Sequence, residues 1–273
     1  MKMSKKSILG IGIAILLVIF AIYLFSKTNK ADYAEKDYPQ ISDEGILRIV
    51  TDYNSVGYFV SGDTIAGFNH DLIQLLQTYT PLKIELSLET SLSKSIEDLR
   101  KGKYDVVARN IPVTSDLKDS LSFTDVITQN KQVLIQRKKE FNNDIEPIRS
   151  HLDLAKKTLY VPYNSPAILR VRNLSSEIGD TIYYVEDKLY GAEQLVLKVA
   201  AGEIDYAVCD EKVAKKLSKS LPEIDYSTLV GFTHFEAWIV RKNSPALLDS
   251  LNAWIGRVKD TPEYDLIYKK YYE

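Results

Sequence analysis

The sequence predicts an α/β fold of two lobes that face each other across a cleft. The main observation is a pattern that occurs twice: a helical segment, a glycine, and a short apolar strand that ends in polar residues. The first copy reads GKYDVVARNIPVT from Gly102, and the second reads GEIDYAVCD from Gly202, with Asp105 and Asp205 at the same spacing. A glycine after a helix permits the left-handed backbone that ends it, and open α/β sheets bind ligands at the carboxyl ends of their strands. One copy alone would indicate only ordinary α/β connections, whereas two copies predict two lobes sharing one site.

The composition is typical of a globular protein with sizeable hydrophobic cores. Of 273 residues, 45% are hydrophobic and 26% are charged, with a formal net charge of −2. A nucleic-acid-binding protein would normally show a basic excess, so we expect no nucleic-acid partner. Cys209, the single cysteine, can form neither an internal disulfide nor a cysteine-based metal cluster. His70, His151 and His234 show no i, i+4 pairing, so the sequence predicts no metal site and no cofactor.

The N-terminus predicts a membrane anchor. Lysines in Met1–Lys6 precede the uncharged run ILGIGIAILLVIFAIYLF, Ile8–Phe25, which is about the length that crosses a hydrocarbon core of roughly 30 Å. A cleaved signal peptide usually has a shorter apolar region and a small-residue cleavage site. We therefore expect residues 1–30 to form a cytoplasmic tip and an uncleaved transmembrane helix, and residues 31–43 to form a tether. This predicts a single-pass protein of the inner (cytoplasmic) membrane with its folded part in the periplasm.

The first lobe is predicted to alternate strands and helices with short connections. The expected elements are a strand at Gly45–Asp52, a loop at Tyr53–Thr64, a helix at Ala66–Thr78, a strand at Leu82–Leu88, a helix at Leu92–Lys101 and a strand at Tyr104–Ala108. Asn69 and Ser91 are the expected N-caps of the two helices, and Gly102 ends the second. The order β-α-β-α-β predicts a parallel sheet covered by helices.

The second lobe is predicted to repeat this order. The expected elements are strands at Thr158–Val161, Thr181–Val185 and Tyr206–Cys209, with helices after Pro166, at Ala192–Ala201 and at Lys212–Leu217. Gln132–Lys138 and Ala237–Lys242 are two apolar strands that both end in Arg-Lys, and they bracket the second lobe as a two-stranded hinge would. Leu247–Glu273 is expected to be helical and to pack on the first lobe. These boundaries give residues 44–137 and 237–273 to the first lobe and residues 138–236 to the second.

A series of short motifs then carries a resemblance to a known family. In order they are LRIVTD from Leu47, GFNHDLI from Gly67, GKYDVV from Gly102, SFTD from Ser122 and QVLIQRK from Gln132. The series resembles the type-2 periplasmic solute-binding proteins of the polar-amino-acid family (bacterial extracellular solute-binding proteins, family 3). GEIDYAVCDEKVA and AWIVRKNSP are more similar to the solute-binding-like domain of membrane-bound lytic transglycosylases. The resemblance covers Gly45–Tyr272 and implies the two-lobe periplasmic-binding-protein type 2 fold, which closes on a small ligand, commonly an amino acid.

The resemblance also points to one departure from the family. In that family an arginine on the turn after the third strand holds the ligand carboxylate with two hydrogen bonds. Here Leu117 stands at that position, and a leucine cannot pair with a carboxylate, which puts binding of ordinary α-amino acids in question. Arg109, at the end of the preceding strand, is a candidate replacement; the alternative is a structural ion pair across the cleft.

The second lobe supplies three candidate ligand-binding residues. Asp210 matches the acid that receives a ligand ammonium group, and it also stands where an N-cap of the following helix is expected; both roles can hold. Asn164 and Ser165 match a loop whose hydroxyl and backbone N–H groups meet an anion at a helix N-terminus. Pro166, expected at the first helical position, fits this arrangement.

The first lobe supplies the remaining candidates. Asp52, Tyr53 and Tyr58 lie in the loop where an aromatic side chain usually covers the ligand, although solvent-facing tyrosines are an equal alternative. Thr114 matches a family threonine that lines the first-lobe site. Asn110 corresponds to Asp210 in the internal repeat and completes the predicted set.

These observations favour a membrane-anchored extracytoplasmic solute-binding protein. It would close two lobes on a small polar ligand (an amino acid, a short peptide or a cell-wall fragment) for transport or sensing, with an ABC transporter permease or an envelope protein as its partner. Leu117 suggests one alternative, a docking or regulatory module with a degenerate cleft. The other is a lyase that uses a cleft carboxylate, Asp52 or Asp210. Transglycosylase chemistry would need a carboxylic acid in a separate catalytic domain, for which the sequence up to Glu273 leaves no room, so we expect a non-enzymatic protein.

Overall fold

The computed structural model describes residues 34–272. The predicted transmembrane helix and the first residues of the predicted tether lie outside this range. Within residues 34–272, no helix combines the length and apolar character needed to cross a membrane.

Thirteen strands and nine α-helices form the described part of the chain. The strands are β1 (Ile46–Thr51), β2 (Phe59–Ser61), β3 (Thr64–Ala66), β4 (Lys83–Leu88), β5 (Val106–Pro112), β6 (Leu121–Phe123), β7 (Thr128–Asn130), β8 (Gln132–Arg137), β9 (Thr158–Pro162), β10 (Tyr183–Asp187), β11 (Ala207–Asp210), β12 (Ile224–Leu229) and β13 (His234–Arg241). The helices are α1 (Tyr38–Glu44), α2 (Phe68–Gln77), α3 (Leu92–Arg100), α4 (Ser115–Lys118), α5 (Ala167–Ile178), α6 (Ala192–Ala200), α7 (Glu211–Leu217), α8 (Pro245–Lys259) and α9 (Pro262–Tyr272). Two short 3-10 helices lie at Lys139–Phe141 and His151–Leu154.

Each lobe is built on one sheet, and the two sheets have the same strand order. The first runs β4-β1-β5-β13-β6, with β7 also paired to β13, and the second runs β10-β9-β11-β8-β12. In both sheets the first three strands are parallel and the fourth is antiparallel to its neighbours. Apolar clusters cover both faces of each sheet, so each lobe has its own core. The predicted two-lobe α/β architecture is therefore confirmed.

The repeated turn that leads into β5 and β11 is also confirmed. Gly102 and Gly202 follow their helices with φ values of +77° and +78°, which is the left-handed region that glycine adopts without strain. β5 and β11 occupy the same place in their sheets.

A buried arginine from the antiparallel strand fixes this turn in the first lobe. Arg241, at the end of β13, donates to the carbonyl oxygens of Leu99 (3.2 Å) and Tyr104 (2.6 Å). Its guanidinium also lies 3.3 Å from the carboxylate of Asp105, and both side chains are fully buried. The arginine therefore ties the end of α3, the turn and the start of β5 into one unit.

Arg137, at the end of β8, makes the equivalent contacts in the second lobe. It donates to the carbonyl oxygens of Val199 (3.1 Å) and Ile204 (3.0 Å) and pairs with Asp205 at 3.0 Å. Each acceptor lies one hundred positions after its counterpart around Arg241. The Arg-Lys ending that the sequence shows twice thus marks the same structural role in each lobe.

This role corrects the predicted hinge and lobe boundaries. We expected the strand at Gln132–Lys138 to close the first lobe, but β8 pairs with β11 and β12 and belongs to the second sheet. The chain crosses between the lobes at Lys131, after β7, and returns between β12 and β13. The lobe boundary at residue 137 was wrong because β8 is the second-lobe counterpart of β13, with Arg137 holding the second-lobe turn.

The predicted tether is also corrected, because Tyr38–Glu44 forms helix α1. Asp37 caps this helix in a capping box with Gln40, and Gly45 ends it with φ +69°. Ile41 is fully buried in the first-lobe core, which holds the helix against β1.

Two smaller expectations in the first lobe differ from the structure. The predicted loop at Tyr53–Thr64 contains the start of a hairpin, β2 and β3. The expected N-cap Asn69 is the second residue of α2 and is buried, and Gly67 is the N-cap residue. The predicted cap Ser91 is confirmed, since its hydroxyl accepts from the backbone N–H of Lys94.

The C-terminal segment forms two helices, α8 and α9, that pack on the first lobe as predicted. Trp254 of α8 and Tyr264 of α9 are buried in its core. Lys270 and Tyr271 reach back from α9 to the carboxylate of Asp71 on α2, at 2.9 and 2.6 Å. Helix α9 is thereby held against α2.

Candidate functional site

The candidate site lies where the two lobes meet, and several contacts join them at its edges. The backbone N–H of Ser55 donates to the carboxylate of Glu193 on α6 at 2.7 Å. The ammonium of Lys216 on α7 lies 5.6 Å from the ring of Phe59 on β2. The ammonium of Lys212, also on α7, lies 3.6 Å from the ring of Tyr272. Side chains of α6 and α7 thus meet the first-lobe loop, hairpin and C-terminal helix.

The loop after β1 is held in a defined shape by its own side chains. The Asn54 carboxamide oxygen accepts from the N–H groups of Val56 and Gly57, while its amide donates to Asp52 at 2.8 Å. The loop also lies against Gly67, where a Cβ atom would stand 2.3 Å from the carbonyl oxygen of Gly57. Only a glycine permits this approach, so the start of α2 positions the loop over the site.

The two predicted tyrosines of this loop have different surroundings. Tyr58 is buried and packs edge-on against His70, with ring centroids 5.4 Å apart. Tyr53 is 52% exposed. A ligand cover therefore remains a proposal for Tyr53, while the contacts of Tyr58 are those of a packing residue.

Arg109 forms an ion pair within the first lobe. Its guanidinium lies 3.0 Å from the carboxylate of Asp52 and 3.3 Å from the carbonyl oxygen of Thr90. The expected alternative, a structural ion pair, is thus present, but it lies within one lobe and does not cross the cleft. The other Asp52 oxygen is buried and has no hydrogen-bond partner among the described residues. The ion pair brings two candidate residues together. The guanidinium is already engaged by Asp52 and by the Thr90 carbonyl oxygen.

Leu117, at the position where the family resemblance implies an arginine, is a packing residue. It lies on α4 and packs against the apolar cluster of the first lobe that includes Val107 and Ile111. Thr114 stands at the N-cap position of α4, but its side chain makes no capping hydrogen bond. Its hydroxyl is therefore free of the role that a cap residue usually has.

Asn110 is joined to the end of the chain. Its amide donates to the Tyr272 hydroxyl at 2.9 Å, and its carboxamide oxygen is buried without a partner in residues 34–272. Tyr272 packs against Phe68 with ring centroids 4.5 Å apart, and burial raises the pKa of its hydroxyl well above the ordinary value. The contact places Tyr272, Asn110 and Lys212 at one end of the site.

Asp210 ends β11 and leads a group of charged side chains at the base of the cleft. Asp210 occupies the predicted N-cap position of α7, but its carboxylate makes no capping hydrogen bond. The predicted capping role is therefore confirmed for its position and not for its side chain. Burial raises the pKa of Asp210 to about 7, Glu236 adds to the rise, and His234 and Lys212 oppose it. Asp52 also raises this pKa, which brings the acids of the two lobes into one electrostatic environment.

The other members of this group come from β13 and α7. Glu236 is fully buried, and its side chain lies 3.5 Å from the His234 ring nitrogen and 3.2 Å from the Asn130 amide. Burial would lower the pKa of His234, but Glu236 and Asp210 together raise it. Burial lowers the pKa of Lys212 to about 8, and its ammonium donates to the Thr128 hydroxyl.

Asn164 and Ser165 stand in the predicted loop before α5, with partners inside the second lobe. Their backbone N–H groups donate to the Glu186 carboxylate (3.1 Å) and the Pro162 carbonyl (3.1 Å), so neither meets an anion in this conformation. Pro166 is the N-cap residue, one position before the predicted one. The Ser165 hydroxyl is buried without a partner in the described chain and is the group that remains a candidate.

The predicted site residues do not include Lys212, His234, Glu236 or Tyr272. One signal was present: Glu236 interrupts the otherwise apolar run of β13, and His234 stands two positions before it. Residues two apart on a strand share a face. Lys212 and Tyr272 carried no such signal, because only the fold brings them together.

A sequence profile decides the family of this chain. Residues 47–273 match the profile described as "Bacterial extracellular solute-binding proteins, family 3". The chain belongs to this family. The predicted resemblance is thereby confirmed, and the family is one of binding proteins.

Curated relatives are similar along most of this chain. A membrane-bound lytic murein transglycosylase F from Aeromonas hydrophila is 24% identical over 234 residues, which cover 86% of this chain and 44% of the relative. The protein of the same name from Desulfosudis oleivorans is 24% identical over 85% of this chain and 50% of the relative. The chain thus spans about half the length of these relatives.

Solved structures of solute-binding proteins share the fold. The holo form of ArgBP from T. maritima superposes with a TM-score of 0.69 at 22% identity, covering 86% of this chain and 100% of that chain. An amino acid ABC transporter substrate-binding protein, AbpA from Streptococcus pneumoniae, bound to L-arginine, gives 0.70 at 19% identity, covering 86% and 98%. At these identities the likeness concerns the fold, and it includes both lobes.

Proposed function

We propose that the cleft binds a small polar ligand carrying an amino group, and that the two lobes close on it. The observation that carries this proposal is the Asp210 carboxylate. It lies at the carboxyl end of β11, does not cap α7, and has the buried Glu236 carboxylate beside it. A ligand ammonium placed here would stabilise both acids, and ligands of open α/β sheets bind at such strand ends.

The first lobe would complete the site with polar groups rather than with an arginine clamp. Leu117 packs into the core, and Arg109 is paired with Asp52. We infer that the ligand is not held through a free α-carboxylate at the position the family uses. Amino acids with a blocked carboxylate, short peptides and cell-wall peptide fragments fit this description better than free amino acids.

Calorimetric titration tests both parts of the proposal. The ligands are polar and cationic amino acids, the same amino acids as C-terminal amides, short peptides and peptide fragments of the cell wall, all in buffer with a chelator. We expect at least one amide or peptide to bind. The free acid should bind no more than about tenfold tighter than its amide, because the first lobe offers the ligand carboxylate no arginine clamp. A tenfold difference in affinity corresponds to roughly 1.4 kcal/mol.

Substitution of Asp210 supplies the control within the same experiment. Asp210→Asn keeps the size of the side chain and removes its charge, so we expect at least about 30-fold weaker binding, which corresponds to roughly 2 kcal/mol. Asp153→Asn, on an exposed 3-10 helix of the same lobe, should bind as the wild type does. Unchanged affinity in Asp210→Asn, with the ligand bound, would refute the assignment of Asp210.

A second candidate function is a docking module whose cleft no longer binds a solute. The observation that favours it is that candidate site residues are already paired with other residues of the protein. Arg109 forms an ion pair with Asp52, and Asn110 donates to the Tyr272 hydroxyl. This alternative predicts that none of the titrations gives a binding signal. It also predicts that the double variant Arg109→Gln, Asp210→Asn keeps the cellular function of the protein.

The place of the protein in the cell follows from the same proposal. We propose that residues 8–25 anchor the folded part outside the cytoplasmic membrane, where an ABC transporter permease or another envelope protein would be its partner. Membrane fractionation tests this: the full-length protein should stay with membranes after a high-salt wash. Recovery of a shortened, soluble form would contradict the anchor.

A further inference from the structure

Three side chains from two strands, one in each sheet, meet at the base of the cleft with the chemistry of metal ligands. Asp210, His234 and Glu236 each offer one donor atom, and these atoms lie within 4.8 Å of one another. The His234 ring nitrogen lies 3.5 Å from Glu236 Oε1, the carboxylate oxygen that also accepts from the Asn130 amide. Donor atoms about 2.0–2.2 Å from a tetrahedral zinc ion are themselves roughly 3.3–3.6 Å apart, so the three side chains would move closer together on binding a cation.

Glu236 gives an independent indication that a cation belongs here. Its side chain is fully buried, and its second carboxylate oxygen, Oε2, has no hydrogen-bond partner among residues 34–272. A buried carboxylate oxygen without a donor is costly. The first oxygen accepts from the Asn130 amide at 3.2 Å, which is the kind of outer contact that orients a metal-binding carboxylate.

The surrounding charges leave these donors available. Lys212, the nearest cation on α7, directs its ammonium to the Thr128 hydroxyl and the Tyr272 ring. Asp52, the other nearby acid, is paired with Arg109. The two carboxylates of Asp210 and Glu236 therefore meet one imidazole, and a divalent cation would balance their charge.

We propose that Asp210, His234 and Glu236 form a binding site for a divalent transition-metal cation, with Zn²⁺ as the best match. One imidazole and two carboxylates suit Zn²⁺ better than Mg²⁺ or Ca²⁺, which prefer oxygen ligands alone. Three protein ligands leave a coordination position for a further donor. Because Asp210 ends a strand of the second sheet while His234 and Glu236 belong to β13 of the first, the cation would link the two lobes.

Titration of the chelator-treated protein with Zn²⁺, without any solute, tests this site separately from the solute site. We expect one Zn²⁺ per chain, and we expect Co²⁺ to give visible absorption bands of an ordered site. His234→Gln and Glu236→Gln should each weaken binding by more than the roughly 10- to 100-fold that loss of an outer contact costs. His151→Gln is the matched control, because His151 is not one of the three donors and its ring contacts the Leu229 carbonyl oxygen.

Two results would overturn the proposal. One is the absence of stoichiometric Zn²⁺ binding by the wild type. The other is wild-type affinity in folded His234→Gln, which would show adventitious binding at the surface. Since Glu236 is buried, its variant is interpreted only if circular dichroism shows a folded protein; the partly exposed His234 provides the decisive variant. Zn²⁺ and a ligand ammonium would use the same two carboxylates and would exclude each other. Failure of this test would therefore leave the solute titrations, which are run in chelator, unaffected.

Discussion

Arg241 and Arg137 make equivalent contacts in the two lobes, but their acidic partners differ in burial. Arg241 and its partner Asp105 are both fully buried, whereas the Asp205 side chain beside Arg137 is 73% exposed. A charge left in the interior after its partner is removed is costly, whereas an exposed acid is solvated by water. The same side chain thus contributes differently to the stability of the two lobes.

We predict that Arg241→Met lowers the free energy of unfolding by about 3 kcal/mol or more. The substitution would leave Asp105 with Lys36, 3.5 Å away, as its remaining cation, and would leave two buried carbonyl oxygens without their donor. Arg137→Met should cost about 1–3 kcal/mol, mainly through its two carbonyl contacts. Urea unfolding of the two variants, each the control for the other, measures the difference; equal losses would contradict it.

Asp225 gives a prediction on pH. Its carboxylate accepts hydrogen bonds from the two terminal guanidinium nitrogens of Arg149, at 2.7 and 2.9 Å. This pair joins β12 to the segment before β9. Burial on its own would raise the pKa of Asp225, but Arg149, Ser227 and Gln136 together hold it below the ordinary value of 3.8. A carboxyl with a lowered folded pKa stabilises the fold above its unfolded pKa and loses this contribution as the pH falls through the folded pKa.

We therefore predict that Asp225→Asn is less stable than the wild type at neutral pH, and that the gap narrows as the pH falls below about 5. Thermal unfolding across this pH range measures it. Asp153→Asn, which removes an exposed carboxylate, should follow the wild-type curve. A gap that stays constant down to the lowest pH would show that the Asp225 charge is not the cause.

At the scale of elements, α9 is fastened to α2 by a polar clamp as well as by apolar packing. The Tyr271 hydroxyl donates to the Asp71 carboxylate at 2.6 Å and accepts from the Gly67 N–H at 2.9 Å. Lys270 also pairs with Asp71 at 2.9 Å. The clamp positions the start of α2, which in turn supports the loop after β1.

We predict that Tyr271→Phe lowers the free energy of unfolding by about 1–3 kcal/mol, because it leaves the Gly67 N–H without its acceptor and removes a hydrogen bond to a charged group. Relative to the wild type, the variant should show a larger increase in the rate of amide hydrogen exchange in α9 than in α8. Tyr183→Phe, at a site that is 54% exposed, should change neither quantity. Uniformly faster exchange across both lobes would contradict a local clamp.

The sequence predicted elements well where a periodic pattern had clear ends. The two helix-glycine-strand units were found because a glycine stops each helix and an apolar strand follows at the same spacing. Helix α1 was missed because only Ile41 of its seven residues is buried, too little to give a periodic pattern. Strand β8 was found but assigned to the wrong lobe, because its own residues do not specify which sheet it joins.

The site was predicted only in part, for a related reason. Asp210 and Asn110 could be placed because they end repeated strands. The contact of Asn110 with Tyr272, and that of Lys212 with Tyr272, depend on how α9 and α7 pack across the lobes. A position on a strand end can be inferred from a local pattern, whereas a contact between distant elements follows from the assembled fold.

At the scale of the whole molecule, the two crossings between the lobes and the contacts across the cleft are the parts that ligand binding would change. Two such contacts join a residue of one lobe to a residue of the other: Ser55 with Glu193, and Tyr272 with Lys212. A ligand that contacts both lobes stabilises the closed arrangement in proportion to the contacts it makes only there. Closure on a ligand is therefore the central claim about this protein.

The most direct test is the distance between the lobes, measured by spin labels on Gln74→Cys in α2 and Asn173→Cys in α5, both exposed positions. The native Cys209 is buried, so it should not take the label. With a solute identified by calorimetry, we predict a shorter and narrower distance distribution, and no change for Asp210→Asn at the same solute concentration. A bound solute that leaves the distribution of the labelled protein unchanged would contradict closure of the lobes on a ligand.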